Sequence, residues 1–120
     1  MTKKTLIIGA SEKPERYSNK AIRALRQHGH PVVALATRPG QVDDVVFETE
    51  AIDFGPIDTV SLYIGPEIQR GYVDYIISLH PKRVIFNPGT ENDDFAQELE
   101  KSGIEPATAC TLVLLSTGQY

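Results

Sequence analysis

A short loop rich in small and basic residues follows the first apolar run of the 120-residue sequence. It begins with Gly9-Ala10-Ser11, continues through Lys13 and Arg16, and leads into a helical pattern. Backbone N–H groups at the start of a helix, together with nearby cations, are the groups that bind phosphate. This loop is the first candidate site, with an anion as its ligand. Solvated surface charge is the alternative interpretation of Lys13 and Arg16.

A second candidate group lies at the end of the second apolar run, which reads Ala36-Thr37-Arg38-Pro39. An NAD enzyme usually carries Asp or Glu here for the ribose hydroxyls, and its first loop carries G-x-G-x-x-G. Both features are missing, since Gly9 is the one glycine of the first loop. An arginine at this position suits a phosphate on the adenosine ribose, as in NADP or coenzyme A (CoA). An exposed arginine without a ligand is the alternative for Arg38.

Residues with catalytic potential do not form a recognisable set. The three histidines lie at predicted helix ends, where they would face away from the site: His28, His30 and His80. Glu91, Asp93 and Asp94 fit the first turn of a helix, where the helix dipole favours acids. Ser11 has no base or acid partner in the pattern, and metal-ligand spacing and a P-loop are absent from the sequence. The sequence therefore predicts a protein that binds a ligand and is not an enzyme.

The elements that must position these residues alternate between strands and helices. Four apolar runs predict buried parallel strands, at residues 5–9, 32–36, 59–64 and 83–86, and residues 104–108 predict the last strand. Helices are predicted at residues 18–28, 66–79 and 91–102, with Ser18 and Thr90 as N-caps. Tyr17 and Ile22 are placed for a hydrophobic staple at the first helix. Residues 37–58 predict a long loop with a weak edge strand at 45–47, and residues 110–115 are apolar without a clear form.

This alternation predicts an α/β fold with a single doubly wound parallel sheet, Rossmann-like, with helices on both faces. The expected strand order is 3-2-1-4-5-6. Ligands of such sheets bind beyond the carboxyl ends of the strands. The Gly9 loop, Arg38, Gly65-Pro66 and the Asn87-Pro88-Gly89 turn should therefore share one edge of the sheet.

Length and charge narrow the function classes. A chain of 120 residues predicts one domain, 1–120, and the formal charge of −4 argues against a nucleic-acid partner. Apolar runs are too short for a signal peptide or a spanning helix, which predicts no membrane partner. One cysteine, Cys110, cannot form an internal disulfide, and the expected compartment is the cytoplasm.

Two motifs together resemble a known family. The first reads Gly9-Ala-Ser-x-x-Pro-x-Arg16-x-Ser18-Asn19-x-Ala21, and the second reads Phe86-Asn-Pro-Gly-Thr-Glu-Asn92. With Gly29 before the second strand and with Cys110, they make the chain similar to the standalone CoA-binding proteins. These resemble the N-terminal domain of the succinyl-CoA synthetase alpha subunit. The resemblance spans almost the whole chain.

The resemblance implies a non-catalytic protein that binds CoA or an acyl-CoA as a small-molecule nucleotide ligand. It implies three groups of site residues: Gly9, Ala10, Ser11, Arg16 and Ser18 at the pyrophosphate; Thr37, Arg38 and Pro39 at the adenosine end; and Asn87, Pro88 and Gly89 near the pantetheine. One departure affects the nucleotide contacts. The family's second strand usually ends Asn-Pro with a following basic residue, and this chain has Ala36-Thr37-Arg38.

Two alternative functions remain at this point. One is an NADP-binding oxidoreductase-type module, which the missing glycine pattern disfavours. The other is a ligand-free interaction module that uses the apolar residues 112–115 as a subunit contact, with a homodimer as one form that this contact would give. Cys110 is expected either near the CoA thiol, where a mixed disulfide could form, or buried as a small apolar side chain.

Overall fold

The computed structural model describes residues 2–120 and contains one sheet of seven strands. The strands are β1 (Thr5–Ile8), β2 (Val32–Leu35), β3 (Gln41–Val42), β4 (Val45–Glu48), β5 (Thr59–Leu62), β6 (Arg83–Phe86) and β7 (Glu105–Thr108). Their order across the sheet is β3-β4-β2-β1-β5-β6-β7. The α/β fold class and the predicted order of six strands are confirmed, but β4, which was predicted at the edge, is the second strand from the edge.

The sheet differs from the prediction at one edge, where it is not parallel. Gln41 and Val42 form the extra strand β3, which pairs antiparallel with β4. Its two residues are too few to show an alternating pattern in the sequence. The predicted long loop of residues 37–58 therefore contains a small hairpin.

Within residues 2–120, five α-helices accompany the strands: α1 (Tyr17–Gln27), α2 (Pro66–Gln69), α3 (Val73–Leu79), α4 (Asp93–Lys101) and α5 (Thr111–Ser116). The helix predicted at residues 66–79 is interrupted, because Arg70–Tyr72 form a 3-10 turn between α2 and α3. Gly71 lies in that turn, and glycine is a poor helix former. The apolar C-terminal segment of unclear form is the helix α5.

Both predicted helix caps are wrong. Helix α1 begins at Tyr17, so Ser18 lies inside its first turn and Arg16 occupies the cap position. The predicted staple also fails, since Tyr17 is 68% exposed. In α4 the cap is Asn92, whose Oδ1 accepts from the Phe95 N–H at 3.1 Å. Thr90 instead donates its hydroxyl to the Asn87 carbonyl at 2.8 Å.

Apolar side chains cover both faces of the sheet, as alternation along a central strand requires. Leu6 and Ile8 of β1 pack in one cluster with residues of α3 and α4, including Ile76 and Leu99. Ile7 packs in the other cluster, which is formed with residues of α1 and α5: Ala21, Ile22, Leu25 and Leu115. Helices on both faces are thereby confirmed. No helix within residues 2–120 has the length and apolar character needed to cross a membrane.

The apolar run at residues 112–115 contributes mainly to the core. Leu115 is buried, and Leu112 packs against the same cluster as α1. Val113 is the one side chain of the run that is exposed as a large apolar group, at 55%. The run therefore does not present a broad apolar surface.

His30 lies at the amino-end edge of the sheet. Its Nδ1 accepts the Lys3 N–H at 3.0 Å, and its ring lies 5.0 Å from that of Tyr120. Burial lowers the pKa of His30, and the nearby His28, Lys3 and Arg83 lower it further. The folded protein thus keeps this ring neutral at a pH where the unfolded chain takes up a proton.

Acidification should therefore destabilise the fold through His30. The free energy of unfolding is expected to decrease as the pH falls below about 6.5, the ordinary histidine value. Urea denaturation near pH 7 and near pH 5.5 measures this loss, which should be smaller in His30→Asn, whose amide oxygen replaces Nδ1 as an acceptor. The exposed His80→Asn is the control, since His80 is not among the groups that lower the pKa of His30 and asparagine tolerates its positive φ of 47°. An equal loss in both variants would show that His30 is not responsible.

Candidate functional site

A cavity of about 670 Å³ opens at the carboxyl ends of β1, β2, β5 and β6. Four segments line it, within residues 9–18, 37–39, 63–65 and 88–90, and Phe47 of β4 adds an aromatic ring. The cavity lies where the chain order reverses between β2 and β5, on either side of β1. This is the place where open α/β sheets bind ligands, and the volume is typical of small-molecule sites.

The structure brings together ten of the eleven predicted site residues. The following line the cavity: Gly9, Ala10, Ser11, Arg16, Ser18, Thr37, Arg38, Pro39, Pro88 and Gly89. Asn87 is the exception, because its side chain is buried beneath the cavity. Gly65, which was predicted at the same edge of the sheet, also lines the cavity.

Gly9 is required by its surroundings at the end of β1. Its φ is +100°, and a Cβ atom would lie 2.9 Å from the Tyr63 carbonyl oxygen and 3.0 Å from a methyl carbon of Ile64. Neither the backbone angle nor the space suits a larger residue. The absence of a side chain therefore lets the first loop run close against the segment after β5.

Helix α1 directs its positive end at the cavity without an internal partner. No side chain caps its first turn, which also contains no acidic residue. The preceding loop is fixed by its own bonds, since the Gly9 and Ala10 N–H groups both donate to the Leu35 carbonyl at 3.0 Å. The Ser11 hydroxyl accepts the Lys13 N–H at 3.1 Å. An anion bound at this helix start would accept hydrogen bonds from the backbone N–H groups of the first turn.

Asn19 holds this loop from below. The side chain is fully buried, and its amide donates to the Ser11 carbonyl at 3.0 Å. Its Oδ1 accepts the Arg23 Nε–H at 2.7 Å, so the orientation of the amide is fixed. The family motif contains this residue, but the sequence alone did not show that it positions Ser11.

The charge around the cavity opposes that of the whole chain. Lys13, Arg16 and Arg38 line it, and Glu12 is the single carboxylate among the lining residues that the structure describes. Within residues 2–120, the salt bridges involve other side chains than these three cations. A local positive region in a chain of net charge −4 favours an anionic ligand.

Asn87 ties together the three elements that meet under the cavity. Its amide donates to the Ser61 hydroxyl and to the Leu62 carbonyl, both at 2.8 Å. Its Oδ1 accepts the Thr111 N–H at 2.9 Å, at the start of α5. The side chain is therefore fully bonded to the chain, and it positions the Pro88-Gly89 turn that follows it.

A second buried amide, Gln69, joins two segments that line the cavity. Its Nε2 donates to the Ile64 carbonyl at 2.9 Å and to the Thr90 carbonyl at 2.8 Å. Its Oε1 accepts from Asn92 Nδ2 at 2.9 Å. The segments after β5 and β6 are thus held at a fixed separation. Gln69 could not be identified from the sequence, because two of its partners, Thr90 and Asn92, are distant along the chain.

The lining offers little acid or base chemistry. Tyr63 lines the cavity, and burial raises the pKa of its hydroxyl to about 12. The hydroxyl therefore stays protonated at neutral pH. Histidine and cysteine do not occur among the lining residues that the structure describes. Cys110, the one cysteine of the sequence, lies half-buried directly before α5. No group of acids, histidines and cysteines within residues 2–120 could hold a metal ion.

Residues missed by the sequence prediction complete the cavity. Glu12, Tyr17, Phe47, Tyr63, Ile64 and Thr90 line it in addition to the predicted set. Tyr17 is exposed there, with Lys20 Nζ lying 5.3 Å from its ring centroid. Position beyond a strand end was an available signal for Tyr63 and Ile64. Phe47 lies on β4, which was predicted as a strand, but the sequence did not indicate that its ring lines the cavity.

A family model described as a CoA binding domain matches residues 3–116 of the chain. The chain belongs to this CoA-binding domain family. The resemblance stated from the two sequence motifs is thereby confirmed. The match includes every segment that lines the cavity of this CoA-binding domain.

Solved structures show the same fold over nearly the whole chain. The crystal structure of an uncharacterised protein is 44% identical, with a TM-score of 0.97 and coverage of 100% of this chain and 99% of that one. A hypothetical protein from Pyrococcus horikoshii OT3 is 26% identical, with a TM-score of 0.87 and coverage of 97% and 83%. Cell-free ID.343 from Thermus thermophilus, 20% identical with a TM-score of 0.87 and coverage of 99% and 91%, shares the fold. Comparison with curated protein sequences found no match.

Proposed function

We propose that this CoA-binding domain, residues 1–120 as a single unit, binds CoA or an acyl-CoA and performs no chemistry on it. The observation that carries the proposal is the cavity itself. It combines the uncapped start of α1 with three cations that lack salt-bridge partners within residues 2–120. The family match supports a CoA-type ligand for this cavity.

The proposed arrangement assigns each part of the ligand to one segment of the lining. The pyrophosphate lies against the Gly9–Ser11 loop and Ser18 at the start of α1, with Lys13 and Arg16 supplying positive charge. Thr37, Arg38 and Pro39 lie at the adenosine end, where Arg38 pairs with the ribose phosphate. Pro88 and Gly89 lie beside the pantetheine. Asn87, proposed from the sequence as a contact, acts through the turn that it positions.

The absence of turnover follows from the side chains around the cavity. Ser11 is the nucleophile candidate, and its hydroxyl accepts a hydrogen bond from the Lys13 backbone. Glu12 is the single carboxylate of the described lining, and one of its oxygens is bonded to the Gln41 N–H at 3.0 Å. A nucleophile, a base and an oxyanion site do not converge, as acyl transfer would require.

We expect no thioester hydrolysis above the uncatalysed rate. The test follows free thiol release from acetyl-CoA incubated with the purified chain, with Ser11→Ala and Glu12→Gln as comparison proteins. Turnover by the wild type that either substitution abolishes would contradict the non-catalytic proposal.

NADP is the second candidate ligand, because it also carries a phosphate on the adenosine ribose. The sequence of the first loop supports CoA over NADP, because it lacks the second and third glycines of a dinucleotide site. Native mass spectrometry of the purified chain after incubation with equal amounts of CoA and NADP compares the two directly. A complex with the mass of bound CoA supports the proposal, whereas a complex with the mass of bound NADP would replace it.

A further inference from the structure

Glu12 connects two segments that line the cavity. It belongs to the loop after β1, and its Oε2 accepts the Gln41 N–H at 3.0 Å from the segment after β2. This is its one hydrogen bond within residues 2–120. One carboxylate oxygen is thus fixed by the chain, and Oε1 is left to accept another hydrogen.

Gly40 provides the space in which this carboxylate lies. A Cβ atom at residue 40 would be 2.8 Å from both Cγ and Cδ of Glu12 and 3.0 Å from the Phe47 ring. Gly40 is not among the glycines with positive φ, so its backbone angles do not require a glycine. Space for Glu12 and Phe47 is the physical reason for a glycine at this position.

The position of Glu12 corresponds to a known chemical role. Dinucleotide folds carry an acid at the end of the second strand, which binds a ribose hydroxyl. This chain has Thr37, Arg38 and Pro39 there, and the fold brings the carboxylate of Glu12 to the same edge from a different loop. A carboxylate in a cavity that binds phosphates repels the ligand, unless a hydrogen-bond donor of the ligand lies against the carboxylate.

We infer that Glu12 Oε1 accepts a hydrogen bond from the 2′-hydroxyl of the ligand's ribose. Arg38 pairs with the phosphate on the neighbouring ribose carbon, so that one acid and one base together recognise a phosphorylated ribose. The inference rests on the proposed function, since it assumes that the adenosine end lies by residues 37–39. It assigns Glu12 as a residue that selects ribose over deoxyribose.

The test compares adenosine 3′,5′-bisphosphate with its 2′-deoxy form by calorimetric titration. A hydrogen bond to a charged group gives a preference of about tenfold or more for the ribose form in the wild type. Glu12→Gln should lower the ratio of the two affinities several-fold, because the amide oxygen accepts from the Gln41 N–H and the NH₂ can offer the hydroxyl only a weaker, neutral hydrogen bond. Gly40→Ala should do the same by displacing the carboxylate. Glu15→Gln, in the same loop but outside the lining, is the control with the same change of charge.

The ratio is the decisive quantity, since removing a negative charge also strengthens phosphate binding by both nucleotides. A ribose preference of unchanged size in Glu12→Gln and Gly40→Ala overturns the inference. Equal binding of the two nucleotides by the wild type also overturns it and leaves the CoA proposal standing. Binding of neither nucleotide by the wild type overturns the inference, and if CoA also fails to bind, the proposed function fails with it.

Discussion

Replacing Arg38 by alanine is expected to weaken CoA binding about tenfold to a hundredfold, because a charge-assisted hydrogen bond is worth about 1.5 to 3 kcal/mol. Dephospho-CoA lacks the phosphate that Arg38 would contact, so its affinity should change little. Arg38 lines the cavity, and its guanidinium has no salt-bridge partner within residues 2–120. The cation is therefore available to a ligand.

Calorimetric titration of both ligands against the wild type and Arg38→Ala completes a double-mutant cycle. Arg70→Ala removes the same charge from a side chain outside the cavity, and it should leave both affinities unchanged. Equal weakening of CoA and dephospho-CoA by Arg38→Ala would show that Arg38 contacts a different part of the ligand.

The second large effect concerns stability. Asn87→Ala removes three hydrogen bonds and leaves the Thr111 N–H and the Leu62 carbonyl without their side-chain partner. Each buried group that loses its partner costs about 1 to 3 kcal/mol, so the free energy of unfolding should fall by about 3 kcal/mol. Urea denaturation measures this change.

Asn92→Ala is the matched comparison, because it removes an asparagine that caps α4 at a less buried position. Loss of the helix cap typically costs about 1 kcal/mol, and the buried Gln69 Oε1 also loses its Asn92 donor at 2.9 Å, so we expect a total loss of about 2 kcal/mol. A smaller effect for Asn87→Ala than for Asn92→Ala would contradict the role that we assign to the buried amide of Asn87.

The sequence pattern was sufficient to predict the fold and the edge of the sheet that carries the site. Buried parallel strands are short apolar runs, and their carboxyl ends share one edge, so Gly9, Arg38 and Gly89 could be placed together. Strand β3 could not be predicted, because two residues show no period. Phe47 lies on β4, whose strand was predicted at residues 45–47, but the sequence did not show that its ring lines the cavity.

The buried polar contacts were beyond the sequence pattern. Asn87 bonds to Ser61 and Thr111, which lie 26 and 24 residues away along the chain. Glu12 bonds to Gln41 across 29 residues, and its position also depends on the missing side chain of Gly40. Such pairs depend on how strands, helices and loops are aligned with one another. The secondary-structure propensities of single residues do not determine that alignment.

The residue that caps α4 also could not be predicted from the local sequence. Thr90 and Asn92 are both good cap residues by type. The choice of Asn92 depends on Thr90, whose hydroxyl is bonded to the Asn87 carbonyl, and on Gln69, which accepts from the Asn92 amide. Tertiary contacts therefore decided between two residues that local preference treats alike.

Titration of the ¹⁵N-labelled chain with CoA, followed by amide NMR, tests most directly the claim that this cavity binds the cofactor. We predict saturable shifts at one equivalent of CoA for amides of the lining, with Ser11, Gly65 and Gly89 as reporters. The amides of Gly29 and Gly103 precede β2 and β7 at the opposite edge of the sheet, and they should stay unchanged. Shifts confined to residues outside the lining, or no shifts with excess CoA, would contradict the account.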